Sequence, residues 1–361
     1  MPPLHRHSPG IRTTHRRSRY NAPVHTDRHT ALYAWADASL ARRHLEPSGE
    51  WTPLEGEASA RVFFRRPVAS TGQPSSVIAM DAPPEHENNA QFVALAQRFR
   101  AAGIAVPEIL ASDLQRGFLL VEDLGDTLFE ASYATADREA ALESALATLV
   151  RFQQLPEDPS VPPYTTERFI DELELFRAWL LEGWLELELS ATEQSQLDDV
   201  TARLIATVEA QPRVCIHRDY HSRNLIWRAD RTTGVVDFQD ALWGPVSYDL
   251  ASLLRDCYVR FDESEIDHWR ARYLELARAG GVLDIDPDLF REWLDLTALQ
   301  RQLKALGIFA RLQLRDGRSS HLQDIPPVLD HAISVAARYP GLTGFADWLS
   351  SRVRPNVLSR R

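Results

Sequence analysis

Cysteine, lysine and long apolar runs are scarce in this chain of 361 residues. Its two cysteines, Cys215 and Cys257, allow at most one disulfide and no cysteine-based metal framework. Their apolar surroundings favour buried free thiols, which suits a reducing cytoplasm. No apolar run approaches the ~20 residues that span a bilayer, so we expect no membrane partner. Lys304 is the single lysine among 40 basic residues, and the rest are arginines.

The charge is unevenly distributed along the chain. Residues 1–30 carry six arginines and one aspartate, a net charge of +5. The whole chain has a net charge of −11, so the remaining residues carry −16. An acidic body argues against a nucleic-acid partner. The basic start is rich in histidine and has no apolar segment of the kind that secretory signals need. We therefore predict that residues 1–27 form a disordered basic extension, and nothing in the sequence indicates an obligate protein partner.

One short motif carries chemistry. His217, Arg218 and Asp219 are followed after four residues by Asn224, and Asp237 lies thirteen residues further on. This is the H-R-D-x-x-x-x-N pattern, with a later metal-binding aspartate, of phosphoryl-transfer enzymes. A carboxylate at position 219 is suited to accept the proton of an attacking hydroxyl.

The residues around the motif predict a β-hairpin. Residues 225–227 and 234–238 are apolar, strand-forming runs, and a polar turn separates them. Asn224 begins the first strand and Asp237 ends the second, so an antiparallel pairing makes them neighbours. An amide oxygen and a carboxylate together suit Mg²⁺. The sequence therefore predicts magnesium-dependent phosphoryl transfer.

The remaining pattern changes from strands to helices along the chain. We predict an α+β, bilobal protein-kinase-like fold with a small β-rich, nucleotide-binding N-lobe over 28–125 and a larger helical, catalytic and substrate-binding C-lobe over 126–361. The predicted N-lobe elements are helices over 28–45 and 85–102 and strands over 51–54, 60–66, 76–80, 105–113 and 117–122. The predicted C-lobe helices cover 128–155, 166–189, 192–210, 247–260, 264–279, 288–306 and 325–337.

Several segments resemble the aminoglycoside phosphotransferase-like kinases, a superfamily that also holds choline, homoserine, methylthioribose and fructosamine kinases. The segments are residues 217–225, 236–240 and 244–251. Others are similar to the branch that phosphorylates the anomeric hydroxyl of N-acetylmuramate and N-acetylglucosamine in bacterial cell-wall recycling. They are residues 76–85, 117–125 and 299–312. The resemblance implies an ATP- and Mg²⁺-dependent kinase that acts on the C1 hydroxyl of one or both amino sugars in peptidoglycan recycling.

The resemblance also implies roles for single residues. Asp219 matches the catalytic base, and Asn224 and Asp237 match the magnesium ligands. Glu122 and Leu124 fall on the connector whose backbone pairs with adenine. Two further residues match supports of the catalytic loop, His217 as a hydrogen-bonding organiser and Asp249 at the start of the following helix, where a plain helix cap is the alternative.

The nucleotide site departs from the family pattern. Met80 stands on the third strand where most members place a lysine for the α- and β-phosphates, and Lys304 lies far from that strand. Ser59 ends a turn that lacks the usual glycines. Arg61 or Arg65 is expected to meet the phosphates instead, and a solvated strand face is the alternative for both.

The acceptor site is harder to predict. Gln239, Asp240 and Trp243 follow the metal ligand closely in sequence, so we expect them near the sugar. Arg255, Arg301 and Lys304 would give a basic lining that suits the carboxylate of N-acetylmuramate, whereas surface ion pairs are the alternative for each.

Two other functions remain open at this point. An aminoglycoside phosphotransferase, or a kinase for another small hydroxyl compound, shares every catalytic residue and differs only in its pocket. A catalytically weak, kinase-like binding protein is suggested by the missing lysine, and the intact Asp219, Asn224 and Asp237 argue against it.

Overall fold

The computed structural model describes residues 22–54, 60–69 and 75–360. Contacts divide the chain into two compact units, residues 1–85 with 111–120 and residues 86–110 with 121–361. Among the helices in the described ranges, none combines the length and the apolar character that crossing a membrane requires.

The first unit contains one long helix and a β-sheet whose strands are not arranged in sequence order. Its elements are helix α1 (Ala22–Arg42) and strands β1 (Glu46–Pro47), β2 (Thr52–Leu54), β3 (Val62–Ala69) and β4 (Ser75–Asp81). Two strands from later in the chain complete the sheet, β5 (Ile109–Asp113) and β6 (Phe118–Glu122). The strand order is β1-β3-β4-β6-β5, and β2 pairs with β3.

One face of this sheet is covered by α1. The Arg28 guanidinium of α1 donates to the Asp81 carboxylate at 2.6 and 2.9 Å. The antiparallel register sets Val62 of β3 opposite Asp81, so both lie on the α1 side. Because side chains alternate along a strand, Met80 and Arg61 belong to the opposite face.

The second unit is mostly helical. Its longer helices are α2 (Asn89–Ala101), α4 (Arg138–Gln153), α5 (Thr166–Leu175), α6 (Ala191–Glu209), α8 (Glu263–Ala279), α9 (Pro287–Asp316) and α10 (Ile325–Ala336). Its shorter helices are α3 (Phe129–Ser132), α7 (Tyr248–Leu254), α11 (Thr343–Trp348) and α12 (Arg354–Ser359). Two-stranded ladders join β7 (Arg213–Ile216) to β10 (Leu242–Pro245) and β8 (Leu225–Trp227) to β9 (Thr233–Val235).

Helix α9 crosses α5 at close range. The last turn of α5 continues into π-helical turns over Phe176–Trp184, and Gly307 of α9 lies against the backbone at this junction. A Cβ atom added at Gly307 would lie 2.6 Å from the Phe176 nitrogen and even closer to the carbonyl group of Leu175. The two helix backbones therefore meet directly at this point.

Helix α2 supports the segment that follows β9. Phe238 is fully buried, and its ring stacks on Phe92 at 4.9 Å and meets Phe99 edge-on at 5.7 Å between centroids. Such aromatic contacts hold Phe238, and with it the backbone of the neighbouring Asp237, against α2.

Most predicted elements are present, with shifted ends. Helix α1 begins at Ala22 and overlaps the last residues of the predicted 1–27 extension, and residues 1–21 lie outside the described residues. The helix predicted over 128–155 is interrupted between α3 and α4. The helix predicted over 247–260 ends at Leu254, while α9 extends ten residues past the predicted end to Asp316, where Gly317 adopts a left-handed φ of 67°.

The predicted hairpin is shorter than expected. Leu225 pairs with Val235 and Trp227 with Thr233, so the second strand ends two residues before Asp237. Asp237 itself has a φ of 61°, which no regular strand residue adopts. The β7–β10 ladder was not predicted, because its strands are short and far apart in sequence.

Candidate active site

The catalytic motif lies on the loop between β7 and β8. Asp249, at the start of α7 and fully buried, accepts hydrogen bonds from the backbone nitrogens of His217 at 2.6 Å and Arg218 at 2.9 Å. Burial raises the pKa of Asp249 above its usual range, although His217 and the backbone donors oppose this shift. The carboxylate thus anchors the beginning of the loop to α7.

The other end of the loop is joined to the segment after β9. The His217 Nε2 atom lies 2.8 Å from the Val236 carbonyl oxygen, and the Val236 nitrogen donates to the Asn224 carbonyl at 3.1 Å. The backbone bond between Val236 and Asn224 continues the β8–β9 ladder beyond its last pair. As a result Asn224 and Asp237 are brought to the same end of the hairpin, as the sequence predicted.

Asn224 also fixes the loop internally. Its side-chain Nδ2 donates to the Asp219 carbonyl oxygen at 2.9 Å. Asp237 accepts from the Gln239 Nε2 atom at 2.7 Å, and its side chain is exposed. Both side chains are held in place by hydrogen bonds and keep oxygen atoms for a further partner.

These oxygens fit a magnesium ion. In the part of the chain that the structure describes, no group of three or more histidine, cysteine or acidic residues could hold a metal. Mg²⁺ is commonly bound by one or two protein oxygens together with waters and substrate phosphates. Asn224 and Asp237 provide such a sparse, all-oxygen donor set.

The Asp219 carboxylate is ionised and accessible. Desolvation opposes its charge, but the positive charges of Lys304 and Arg301 outweigh this effect and lower the pKa of Asp219 to about 2. The Arg301 Nη2 atom lies 3.9 Å from the Asp219 Oδ1 atom, too far for a hydrogen bond. Since 42% of the Asp219 side chain is exposed, a second molecule can reach the carboxylate.

Helix α9 supplies the cations beside Asp219. Arg301 donates to the Arg218 carbonyl oxygen and, at 2.7 Å, to the Ser252 hydroxyl, and its guanidinium lies over the Tyr248 ring. Lys304, one turn further along α9, binds Glu172 at 3.0 Å. The basic residues predicted at 301 and 304 are therefore brought to the catalytic loop.

Glu172 was not predicted from the sequence. It lies on α5, is almost fully buried, and accepts from Arg218 at 2.7 Å as well as from Lys304. A signal was present, because Glu172 stands on the helix face formed by the buried Phe169, Leu173 and Phe176. An acid on an apolar helix face is rarely left unpaired.

The other predicted acceptor residues are placed differently. The Arg255 side chain is only 6% exposed and forms ion pairs with Glu263 and Asp295, so the structure favours the ion-pair alternative for it. Trp243 is half-buried on β10 opposite Cys215. Asp240 is exposed three residues after Asp237.

The predicted nucleotide-binding residues lie in both units. In the second unit, the Glu122 carboxylate accepts from Arg100 at 2.7 Å and from the Glu108 nitrogen at 3.2 Å, and Leu124 is buried next to Gly234. In the first unit, Arg61 and Met80 are buried on the sheet face opposite α1. Ser59 lies outside the described residues.

Similarity to known proteins defines the class. Residues 50–322 match a family described as the phosphotransferase enzyme family, APH, and the chain belongs to this family. The predicted membership of the aminoglycoside phosphotransferase-like kinases is thereby confirmed, and so is the prediction of a phosphotransferase.

Two relatives are more specific. The N-acetylmuramate/N-acetylglucosamine kinase of Pseudomonas putida is 34% identical over 335 residues, which cover 91% of this chain and 97% of the relative. The protein of the same name from Neisseria meningitidis is 36% identical over 291 residues, covering 79% and 86%.

Solved structures share the fold. The choline kinase LicA from Streptococcus pneumoniae has a TM-score of 0.58 at 13% identity and covers 84% of this chain and 99% of that one. The ADP-bound aminoglycoside phosphotransferase APH(2'')-Ib has a TM-score of 0.54 at 14% identity, covering 84% and 98%. At such identities the likeness concerns the fold alone, and it confirms the predicted α+β, protein-kinase-like fold.

Proposed function

We propose that this phosphotransferase transfers the γ-phosphate of ATP to the anomeric C1 hydroxyl of N-acetylmuramate, N-acetylglucosamine or both, in the cytoplasmic recycling of peptidoglycan sugars. The observation that carries the proposal is the 34% identity to a kinase of that name over 91% of this chain. The relative is matched over 97% of its own length, so the likeness includes both the catalytic loop and the helices around it.

Asp219 acts as the base in this proposal. Its carboxylate remains charged at neutral pH because its pKa lies near 2, and its partial exposure allows the acceptor hydroxyl to approach. An ionised carboxylate within hydrogen-bond distance of the hydroxyl orients it and takes its proton as the bond to phosphorus forms. A base of low pKa contributes mainly through orientation, which is the larger part of catalysis in this reaction class.

Asn224 and Asp237 would hold the magnesium ion. When bound, Mg²⁺ neutralises charge on the phosphate that is being transferred. The contribution of the chain is to fix the two oxygen donors beforehand, through the bond from Asn224 to the Asp219 carbonyl and the bond from Gln239 to Asp237. Donors fixed in advance need little reorganisation during the reaction.

The charge around Asp219 favours an acceptor that is neutral or anionic. Positive side chains lie beside both carboxylates: the Arg301 Nη2 atom is 3.9 Å from Asp219, and Arg218 and Lys304 are bound to Glu172. Polycationic aminoglycosides would be repelled there, whereas N-acetylglucosamine is neutral and N-acetylmuramate carries a carboxylate. The alternative of an antibiotic kinase is less consistent with this cluster, and the intact Asp219, Asn224 and Asp237 argue against a protein without catalytic activity.

The nucleotide contacts remain predictions. We expect the backbone of Glu122 and Leu124 to pair with adenine. Arg61 and Arg65 are the candidates for phosphate binding, since both alternate onto the sheet face that carries Met80. An arginine can bind a phosphate through two parallel hydrogen bonds, which a lysine cannot.

A substrate panel tests the proposal. The purified protein is incubated with ATP and Mg²⁺ and with N-acetylmuramate, N-acetylglucosamine, kanamycin, choline or buffer, and ADP release is measured. Turnover of the amino sugars is expected, and their product should release phosphate in mild acid because a 1-phosphate is acid-labile and a 6-phosphate is not. Phosphorylation of kanamycin alone, or an acid-stable sugar phosphate, would refute the proposed acceptor.

A further inference from the structure

Glu172 is the centre of a buried polar cluster behind the catalytic loop. Its Oε1 atom accepts from the Arg218 guanidinium at 2.7 Å and from the Lys304 ammonium at 3.0 Å. Its Oε2 atom accepts from the Gln300 amide at 3.2 Å and from the Tyr164 hydroxyl. The four donors satisfy both oxygens of the carboxylate.

The cluster carries charge despite its burial. The side chains of Glu172, Lys304 and Arg218 are 9%, 12% and 14% exposed. Burial alone would raise the pKa of Glu172, but Lys304 and Arg218 lower it below its usual value, so the carboxylate is ionised at neutral pH. Two cations thus share one buried anion, an arrangement that is costly unless every member is paired.

Both cations are also neighbours of Asp219. Arg218 precedes it in the chain, and its backbone is held in a left-handed conformation with a φ of 78°. Lys304 lies one turn beyond Arg301 on α9, and the Arg301 Nη2 atom is 3.9 Å from the Asp219 Oδ1 atom. The positive charge of Lys304 lowers the pKa of Asp219. Nevertheless, both cations make their hydrogen bonds to Glu172 instead, at 2.7 and 3.0 Å.

We propose that Glu172 is a positioning residue of the transfer reaction: its carboxylate holds Arg218 and Lys304 beside Asp219 and keeps both cations from pairing with the Asp219 carboxylate. This inference rests on the proposed role of Asp219 as the base. A base covered by a direct ion pair cannot accept a hydrogen bond from the acceptor hydroxyl at the same position. With both cations bound to Glu172, their positive charge stabilises the ionised Asp219 carboxylate, and no direct ion pair blocks its access to the acceptor hydroxyl.

The test is a double-mutant cycle on Glu172 and Lys304. The substitutions are Glu172→Gln, Lys304→Met and the two combined, and Glu174→Gln is the matched control. Glu174 is on the same helix, is paired with Arg177 and has a side chain that is 46% exposed. For each protein we measure kcat and KM for ATP and for the best acceptor of the wild type, together with thermal unfolding.

Glu172→Gln is expected to lower kcat by up to about 100-fold, the size of effect that misplacing a catalytic group produces. The KM for ATP should change little. In this variant the Lys304 ammonium is released from residue 172 and is free to pair with Asp219. Adding Lys304→Met removes that ammonium, so the double variant should have a kcat at least about fivefold higher than Glu172→Gln alone. If Glu172→Gln is too unstable to assay, Glu172→Asp shortens the side chain while keeping its charge, and the same recovery is expected with Lys304→Met.

Two results would overturn the proposal. One is a folded Glu172→Gln protein whose kcat is within twofold of the wild type. The other is a loss of kcat that Lys304→Met leaves unchanged or deepens, since a purely structural role predicts no recovery. If the wild-type protein phosphorylates a different acceptor, the proposed function is refuted. The role of Glu172 is still tested in that case, because the mutant cycle is run with the acceptor that the wild type uses.

Discussion

Replacing Asp249 with asparagine should weaken both the fold and the reaction. The carboxylate is fully buried and accepts two backbone N–H groups of the catalytic loop, at 2.6 and 2.9 Å. Asparagine offers one oxygen and turns an NH₂ group towards the second N–H. One charge-assisted hydrogen bond is lost, at about 1.5–3 kcal/mol, and a buried donor is left unpaired, at about 1–3 kcal/mol.

Part of this cost is recovered. Burial raises the pKa of Asp249, so desolvation opposes the charge of this carboxylate in the folded protein. The neutral amide avoids that cost, so we expect a net loss near the lower limit, about 2–3 kcal/mol of unfolding free energy. Displacement of His217 and Arg218 should also reduce kcat by roughly 100-fold, since Asp219 directly follows them.

The assay combines urea unfolding with steady-state kinetics on the folded protein. Asp295→Asn is the matched control, because Asp295 is 2% exposed and is paired with Arg255 and Tyr339 rather than with the catalytic loop. This control should lose stability and retain kcat. A stable Asp249→Asn protein with unchanged kcat would show that the loop does not depend on this carboxylate, and an equal loss of kcat in both variants would point to general destabilisation.

Three further outcomes are expected. Asp219→Asn should lower kcat by about 1,000-fold or more with little change in the KM for ATP, and steady-state kinetics within tenfold of the wild type would contradict its role as base. Asp237→Asn should raise the Mg²⁺ concentration needed for half-maximal activity by about tenfold or more, measured by titration, and an unchanged requirement would remove Asp237 from the metal site. Hydrogen bonds from Trp348 and Ser190 lower the pKa of Glu193 from 4.5 to about 2. The stability that Glu193 adds is therefore complete above pH 4.5 and is lost as the pH falls towards 2, so the destabilisation by Glu193→Ala, about 1 kcal/mol at neutral pH, should shrink in urea unfolding at lower pH.

Local signals explain what the sequence could predict. The helix predicted over 264–279 is present as α8, and the structure shows an Asp262 capping box at its start, a local signal that the sequence carries. The hairpin was predicted from two apolar runs and a polar turn, and this was enough to bring Asn224 and Asp237 to one end. The left-handed backbone at Asp237 could not be predicted, because it depends on the packing of Phe238 against α2.

Long-range pairing explains what the sequence could not predict. Glu172 and Lys304 are 132 positions apart, and no local pattern indicates that α5 and α9 cross where they do. Arg255 was expected near the acceptor because of its position after Asp249. It instead compensates the buried Asp295 carboxylate on a different helix, a contact that only the folded chain reveals.

At the crossing of α5 and α9, Gly307 affects the proposed reaction indirectly, through the spacing of the two helices. It makes no polar contact with the cluster, yet it lies one turn beyond Lys304, just as the Leu175 carbonyl that it touches lies one turn beyond Glu172. Because Gly307 has no side chain, the two helix backbones can approach closely, and this spacing sets the distance between the Glu172 carboxylate and the Lys304 ammonium. Even a single methyl group there would wedge the helices apart and lengthen the ion pair. The absence of a Cβ atom at residue 307 therefore helps to set the distances within this candidate active site.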